Sequence, residues 1–330
     1  MVDKETVTKT LEEITIMGTR RTIGQLNLLR DIIISDEGIK VYLANTGLAP
    51  MMEEITKNTV IKTLGDIDGA GTVTVEYTDV KAQDLNQITS IIAVMSGKGG
   101  VGKSLVSGLV AIALKRAGYD VGILDADITG PSIPKMFGTS LSPSGNESGI
   151  MPVMSKTGIG MMSINLILPD EGEAVIWRGP MISNAIKQFG NDVLWGKLDY
   201  LVIDLPPGTA DAPLTVMQSF PITGVIVVYT PQDLVDMIVK KALSMASKME
   251  KKVLGVVENM SYLYVPEIDK KIEIFGKSRG EQMAEAAKAP LLAQIPIDPE
   301  MARLCDSGSI EDYDGEVITK LSEKLIEALK

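Results

Sequence analysis

The eight residues GKGGVGKS (97–104) follow the apolar run IIAVMS and open the helical pattern KSLVSGLVAIALKRAG. Few segments restrict a fold as strongly. The glycines Gly97, Gly99, Gly100 and Gly102 let backbone N–H groups converge on phosphate oxygens, and Lys103 adds a point charge. The Ser104 hydroxyl can ligate Mg²⁺, and the helix behind it points its positive end at the anion. Strand, G-x-x-x-x-G-K-S and helix stand in the order a phosphate loop requires. A nucleotide is therefore expected against residues 97–105, with Val101 and Leu105 completing the segment. One lysine suffices in an ordinary loop of this kind; here a second, Lys98, opens it.

From Ile91 onward, IIAVMS, YDVGILDAD, YLVIDLP, TGVIVVYTP and KKVLGVVEN are short, nearly continuous apolar runs. Strands covered on both faces must look like this. Helical stretches such as LVDMIVKKALSMASKM separate them, which predicts an α/β fold, a mostly parallel sheet flanked by helices. Ligands of such sheets bind at the carboxyl ends of the strands. Residues 1–80 predict a small α/β domain in the order helix, strand, strand, helix, strand, from VTKTLEEI, LLRDIIIS, IKVYLAN, MMEEITKNTVIKTL and GTVTVEYTDV. The polar KAQDLNQITS (81–90) is expected to link it to a phosphate-loop domain over 91–330.

A formal net charge of −11 argues against non-specific nucleic-acid binding, which relies on Lys and Arg against phosphates. No apolar run approaches the roughly 20 residues that span a bilayer. The opening MVDKETVTKT lacks a secretory pattern, so a cytoplasmic protein with no membrane partner is expected. Histidine is absent, which removes the usual general base and the commonest transition-metal ligand. The work falls to carboxylates. Asp125 and Asp127 close one apolar run and Asp204 closes another. Mg²⁺ takes oxygen ligands, so Ser104, Asp127 and Asp204 are its expected protein ligands, and Asp127 is the better of the first pair to orient an attacking water.

GKGGVGKS resembles the deviant Walker A loop of the MinD/Mrp/ParA class of ATPases. Together with DADITGPSIPKMFG, WRGPMIS (177–183), LVIDLPPGTADAPLTVMQ, TPQ (230–232) and ENMSYL (258–263), it makes the chain resemble the Mrp/ApbC family of iron-sulfur cluster carrier ATPases from about Ile91 onward. The resemblance implies a homodimer that closes around ATP and Mg²⁺ and hydrolyses the nucleotide. It also implies an iron-sulfur cluster, assembled with or passed to a client apoprotein or cluster-assembly partner. Lys98 would reach the partner subunit's nucleotide, in the manner of an arginine finger, while Lys103 and Asp127 serve catalysis at home. Asn259 would recognise adenine, with Pro296 and Asp298 of PID flanking the base. WRGPM would line the dimer or substrate face, or form a packed loop. Two other readings stay open: a MinD/ParA-like positioning or partition ATPase on membrane or DNA, and a nucleotide switch with negligible turnover.

The family follows ENMSY with a C-x-x-C pair, and two pairs across a dimer can give a cluster four thiolates. Here ENMSYLYVPEIDKK places Val265 and Ile268 at those positions, so no iron-sulfur ligands are identified. The front domain resembles the small one that precedes Mrp ATPases, yet NTGLAPMMEE has Ala49 where that domain has cysteine. Cys305, the single cysteine, excludes an intrachain disulfide and reads as a small buried hydrophobe. The 18 methionines, Met51–Met52 and Met161–Met162 among them, read as core filling, with no metal site beyond Mg²⁺. The final helix carries Val317, Leu321, Leu325 and Leu329 on one stripe and mixes Lys with Glu opposite, which predicts packing on the sheet and not a membrane anchor.

Overall fold

The computed structural model describes residues 2–127, 130, 132–167, 179–209, 211–232 and 235–330. The chain divides into two units. The first comprises Met1–Ile88 together with Ser142–Met154 and Gln188–Leu198; the second takes Thr89–Leu141, Ser155–Lys187 and Asp199–Lys330.

In the first unit, helix α1 (Lys4–Glu12) starts where the Asp3 carboxylate accepts the Thr6 N–H at 3.1 Å, an N-cap that satisfies an otherwise orphaned donor. Strands β1 (Leu29–Ser35) and β2 (Gly38–Ala44) pair antiparallel, and β2 pairs parallel with β3 (Thr72–Thr78). A parallel neighbour requires a crossover. Helix α2 (Pro50–Gly65) supplies it, with Pro50 in the first turn where its missing N–H costs nothing. Val7, Leu11, Val60 and Leu64 of the helices bury against Val41, Val73 and Val75 of the strands.

The two later segments complete this unit. Met151 and Leu194 join its core. Arg21, only 4% exposed, donates to the carbonyls of Trp195 at 2.5 Å, Gln25 at 2.9 Å and Lys197 at 2.8 Å. Replacing Arg21 by Leu takes a charged donor from three carbonyls, of which that of Gln25 keeps the Lys197 N–H at 2.8 Å. The expected cost is about 3 kcal/mol of unfolding free energy, read as a lower denaturant midpoint.

The second unit holds all or most of β4 (Gln87–Ser96), β5 (Val121–Asp125), β6 (Gly160–Ser163), β7 (Lys197–Asp204), β8 (Gly224–Tyr229), β9 (Lys252–Glu258) and β10 (Leu291–Gln294), the first two residues of β4 and of β7 being counted with the first unit. They lie in the order β6-β5-β7-β4-β8-β9-β10. The pairings β6–β5, β5–β7, β4–β8, β8–β9 and β9–β10 are parallel. The polar stretch 81–90 holds a short helix, Ala82–Leu85, and the first residues of β4. Those first strand residues are partly exposed, which is why their composition looks like a linker's.

Helix α3 (Lys103–Arg116) follows β4, and α4 (Glu316–Leu329) packs beside it. Ile318, Leu321 and Leu325 of α4 are buried in the same core as Ile92, Val94, Leu109 and Ile112, with Val317 and Leu329 packed at its border. The final helix thus spends its apolar stripe on the sheet. Among the described residues, no helix is long and apolar enough to cross a membrane. Met161 and Met162 are fully buried and Met52 packs at the border of the first unit's core, as core filling requires. Met51, in the first turn of α2, is 72% exposed and Met17 is 59% exposed, so that expectation fails for those two.

Candidate functional site

The phosphate loop sits between β4 and α3, at the carboxyl end of a strand in the middle of the sheet. Ser96, the last residue of β4, donates its hydroxyl to the Lys98 carbonyl at 2.9 Å. Gly100 and Gly102 both adopt φ +78°, the left-handed region that glycine occupies without penalty. Gly102 is the N-cap of α3, and a Cβ there would lie 2.1 Å from Asn259 Nδ2. Only glycine fits. Val101, 2% exposed, belongs to the core and pins the loop from below.

Beneath the loop lies a buried charge cluster. Lys103 is 6% exposed, with Nζ 2.7 Å from Asp204 Oδ1 and 3.9 Å from Asp127 Oδ2. Ser104 Oγ donates to Asp204 Oδ2 at 2.5 Å, and Ser107 Oγ donates to Asp204 Oδ1 at 2.7 Å. An ionised carboxylate at the end of an apolar strand needs such partners, and Asp204 has an ammonium and two hydroxyls. Asp125 stands opposite Asp204 in the β5–β7 register. It accepts the N–H groups of Asp127 at 3.2 Å, Ser132 at 3.0 Å and Ile133 at 3.2 Å. Burial, and then the neighbouring Asp204 charge, hold the Asp125 carboxyl well above the usual carboxylate range.

The donors of this cluster are hard oxygens: the Ser104 hydroxyl and the carboxylates of Asp204 and Asp127. That chemistry suits Mg²⁺ and not a soft metal. Among the described residues, no three His, Cys, Asp or Glu side chains form a metal-binding group of their own. A cation here would share hydroxyl and carboxylate oxygens with those of a nucleotide phosphate.

The remaining expected residues fall in three places. Lys98, at the loop's start, donates from Nζ to Gln232 Oε1 at 2.5 Å. Asn259, 1% exposed, follows β9 and donates Nδ2 to the Val101 carbonyl at 2.9 Å, so its amide braces the phosphate loop itself. Pro296 and Asp298 line a cavity of about 730 Å³ together with Tyr262, Tyr313 and Lys320. The Asp298 carboxylate caps the helix Pro299–Asp306 through the Glu300 N–H at 2.9 Å and accepts the Tyr313 hydroxyl at 2.8 Å.

Of the WRGPM motif, Trp177 and Arg178 lie outside the described residues, and Gly179 begins the helix Gly179–Asn191. Val265 ends one strand of a small hairpin, Leu263–Val265 with Lys270–Ile272, and Ile268 lies in the turn between them. Ile268 is 55% exposed, and Tyr264, Ile272 and Ile274 are exposed beside it in sequence. Ala49 is the N-cap of α2. Cys305 is half-buried against the core, and burial pushes its thiol up, away from the reactive thiolate.

Two residues of the site escaped the sequence reading. Ser107 is four residues beyond Lys103, one helical turn, and that spacing could have placed it on the same face. Gln232 had a motif but no role, because its partner lies 134 residues away.

The sheet order, the left-handed glycine ahead of α3 and the buried Lys103–Asp204 pair define a P-loop NTPase. The chain belongs to the family described as ParA, NUBPL iron-transfer P-loop NTPase, whose model matches residues 87–330. It is 46% identical over 237 residues to an iron-sulfur cluster carrier protein of Clostridium perfringens, covering 69% of this chain and 83% of that one. A second, from Synechocystis, is 39% identical over 305 residues and covers 88% of this chain and 85% of its own. Among solved structures, a nucleotide-binding protein from Archaeoglobus fulgidus in complex with ADP is similar with a TM-score of 0.65 and 42% identity. That match covers 72% of this chain and 95% of the other. The family and the fold expected from the motifs are thereby met.

Proposed function

We propose that this chain binds and hydrolyses ATP as a homodimer and serves iron-sulfur cluster transfer to a client apoprotein. The observation that carries the proposal is the buried cluster of Lys103, Ser104, Ser107 and Asp204 under a loop whose glycines hold left-handed conformations. Asp204 keeps the ammonium and the hydroxyl in place, so little side-chain reorganisation is needed when phosphate oxygens arrive. Lys103 then serves the phosphates, Ser104, Asp127 and Asp204 hold Mg²⁺, and Asp127 orients the water. Mg²⁺ when bound neutralises charge on the phosphates. Lys98 acts on the partner subunit's nucleotide. Asn259 recognises the adenine and braces the loop through the Val101 carbonyl, and Pro296 and Asp298 border the base.

The relatives are named cluster carriers, and this chain has Val265 and Ile268 in place of the family's thiolates. We assign cluster ligation to the partner and the nucleotide cycle to this chain. The test is anaerobic. Purified protein with ATP and Mg²⁺ should release phosphate at a rate per subunit that rises with protein concentration, as dimer-dependent turnover demands. The same protein incubated with iron and sulfide should retain no stoichiometric cluster by absorbance and iron analysis. Concentration-independent turnover refutes the dimer; a stable cluster on the chain alone refutes the division of labour. Robust ATP-dependent co-sedimentation with liposomes or DNA would favour a positioning or partition ATPase instead.

A further inference from the structure

We infer that Gln232 is a positioning residue that holds Lys98 in its own subunit and sets how readily that lysine is released to act across the dimer. The inference rests on the trans role given to Lys98 above and goes beyond it, because it names the group that opposes that role.

The geometry is specific. Lys98 Nζ donates to Gln232 Oε1 at 2.5 Å. Gln232 stands three residues past the end of β8, and β8 is hydrogen-bonded to β4, the strand that delivers the phosphate loop. The two loops are therefore neighbours by sheet order. The Gln232 N–H donates to the Thr230 carbonyl at 2.9 Å, a tight turn that fixes where the side chain starts. At the other end, the Ser96 hydroxyl holds the Lys98 carbonyl at 2.9 Å. Both backbones are tethered, so the side-chain bond between them is set by the fold.

On this reading the lysine gives up its bond to Gln232 when it is drawn to a second subunit. Its transfer exchanges one acceptor, the amide oxygen of Gln232, for another, a phosphate oxygen. The strength of the first bond enters the second equilibrium directly. A neutral amide is a moderate acceptor: strong enough to hold a flexible, partly exposed cation in one place, weak enough to yield to a phosphate. A carboxylate at the same position would hold the ammonium far more firmly, because both partners would be charged. An apolar side chain would not hold it at all.

The two substitutions therefore predict effects of opposite sign, which a merely structural residue does not give. Gln232→Glu should lower phosphate release per subunit about tenfold and raise the protein concentration needed for half-maximal turnover. Gln232→Leu should lower that concentration several-fold. Affinity for a fluorescent ATP analogue, measured at protein concentrations below the dimer range, should stay within about twofold of the parent in both. In a Lys98→Ala background neither substitution should change turnover further. Changes of the same sign in both variants, or effects that persist without Lys98, overturn the role of Gln232. Full turnover in Lys98→Ala alone overturns the trans lysine itself, so the two failures are told apart.

Discussion

Lys103→Met should remove nearly all turnover and, separately, weaken the fold. The first effect follows from losing the point charge on the phosphates and is expected to be about 10³-fold in phosphate release. The second follows from what Lys103 leaves behind. Asp204 is fully buried, and the Asp125 carboxyl stands beside it in register. With the ammonium gone, Asp204 keeps, among the described residues, the Ser104 and Ser107 hydroxyls. Breaking a buried pair from one side costs about 3–5 kcal/mol, because the remaining charge is uncompensated. A second change, Asp204→Asn, removes that charge and should restore most of the stability in urea unfolding while restoring no turnover. A double variant as unstable as the single one would mean that Lys103 supports the fold through packing and not through charge.

The second large effect concerns Gly102. Alanine there meets two obstacles at once. The backbone is held at φ +78°, which costs an L-residue about 1–2 kcal/mol. The new Cβ would also lie 2.1 Å from Asn259 Nδ2, where no side chain fits. Either the loop or the Asn259 amide that braces it must move, and both disturb the loop's N–H groups. Nucleotide affinity should fall about 100-fold, equivalent to about 2.7 kcal/mol, in a direct binding titration. Adding Asn259→Gly opens the space and leaves the dihedral strain, so it should recover part of the loss and not all of it. Parent-like affinity in Gly102→Ala would show that the loop is softer than its anchoring by Val101 and Asn259 implies.

Much of this site could be read from the chain because its chemistry is local. Gly102, Lys103 and Ser104 are consecutive, and their loop directly follows a strand and begins a helix. Strands such as β5, β7 and β8 are legible for a different reason: both faces are covered, so apolar residues run on without interruption. The four-residue strands β6 and β10 are too short to show any period, so nothing in the sequence marks them. Contacts between distant segments leave no local pattern. Ser107 meets Asp204 across 97 positions, and Arg21 meets Trp195 across 174. The role found for Asn259 at the loop, and the bond between Lys98 and Gln232, belong to the same class. Each depends on which strands become neighbours, and that order is decided by the whole sheet.

The first unit's dependence on Ser142–Met154 and Gln188–Leu198 has a consequence for biogenesis. A nascent chain cannot finish that unit when its first 88 residues emerge from the ribosome, since the carbonyls of Trp195 and Lys197 that engage Arg21 have not yet been made. Closure waits until the start of β7 has been made, so the unit that opens the chain is completed only after the phosphate loop has already been synthesised.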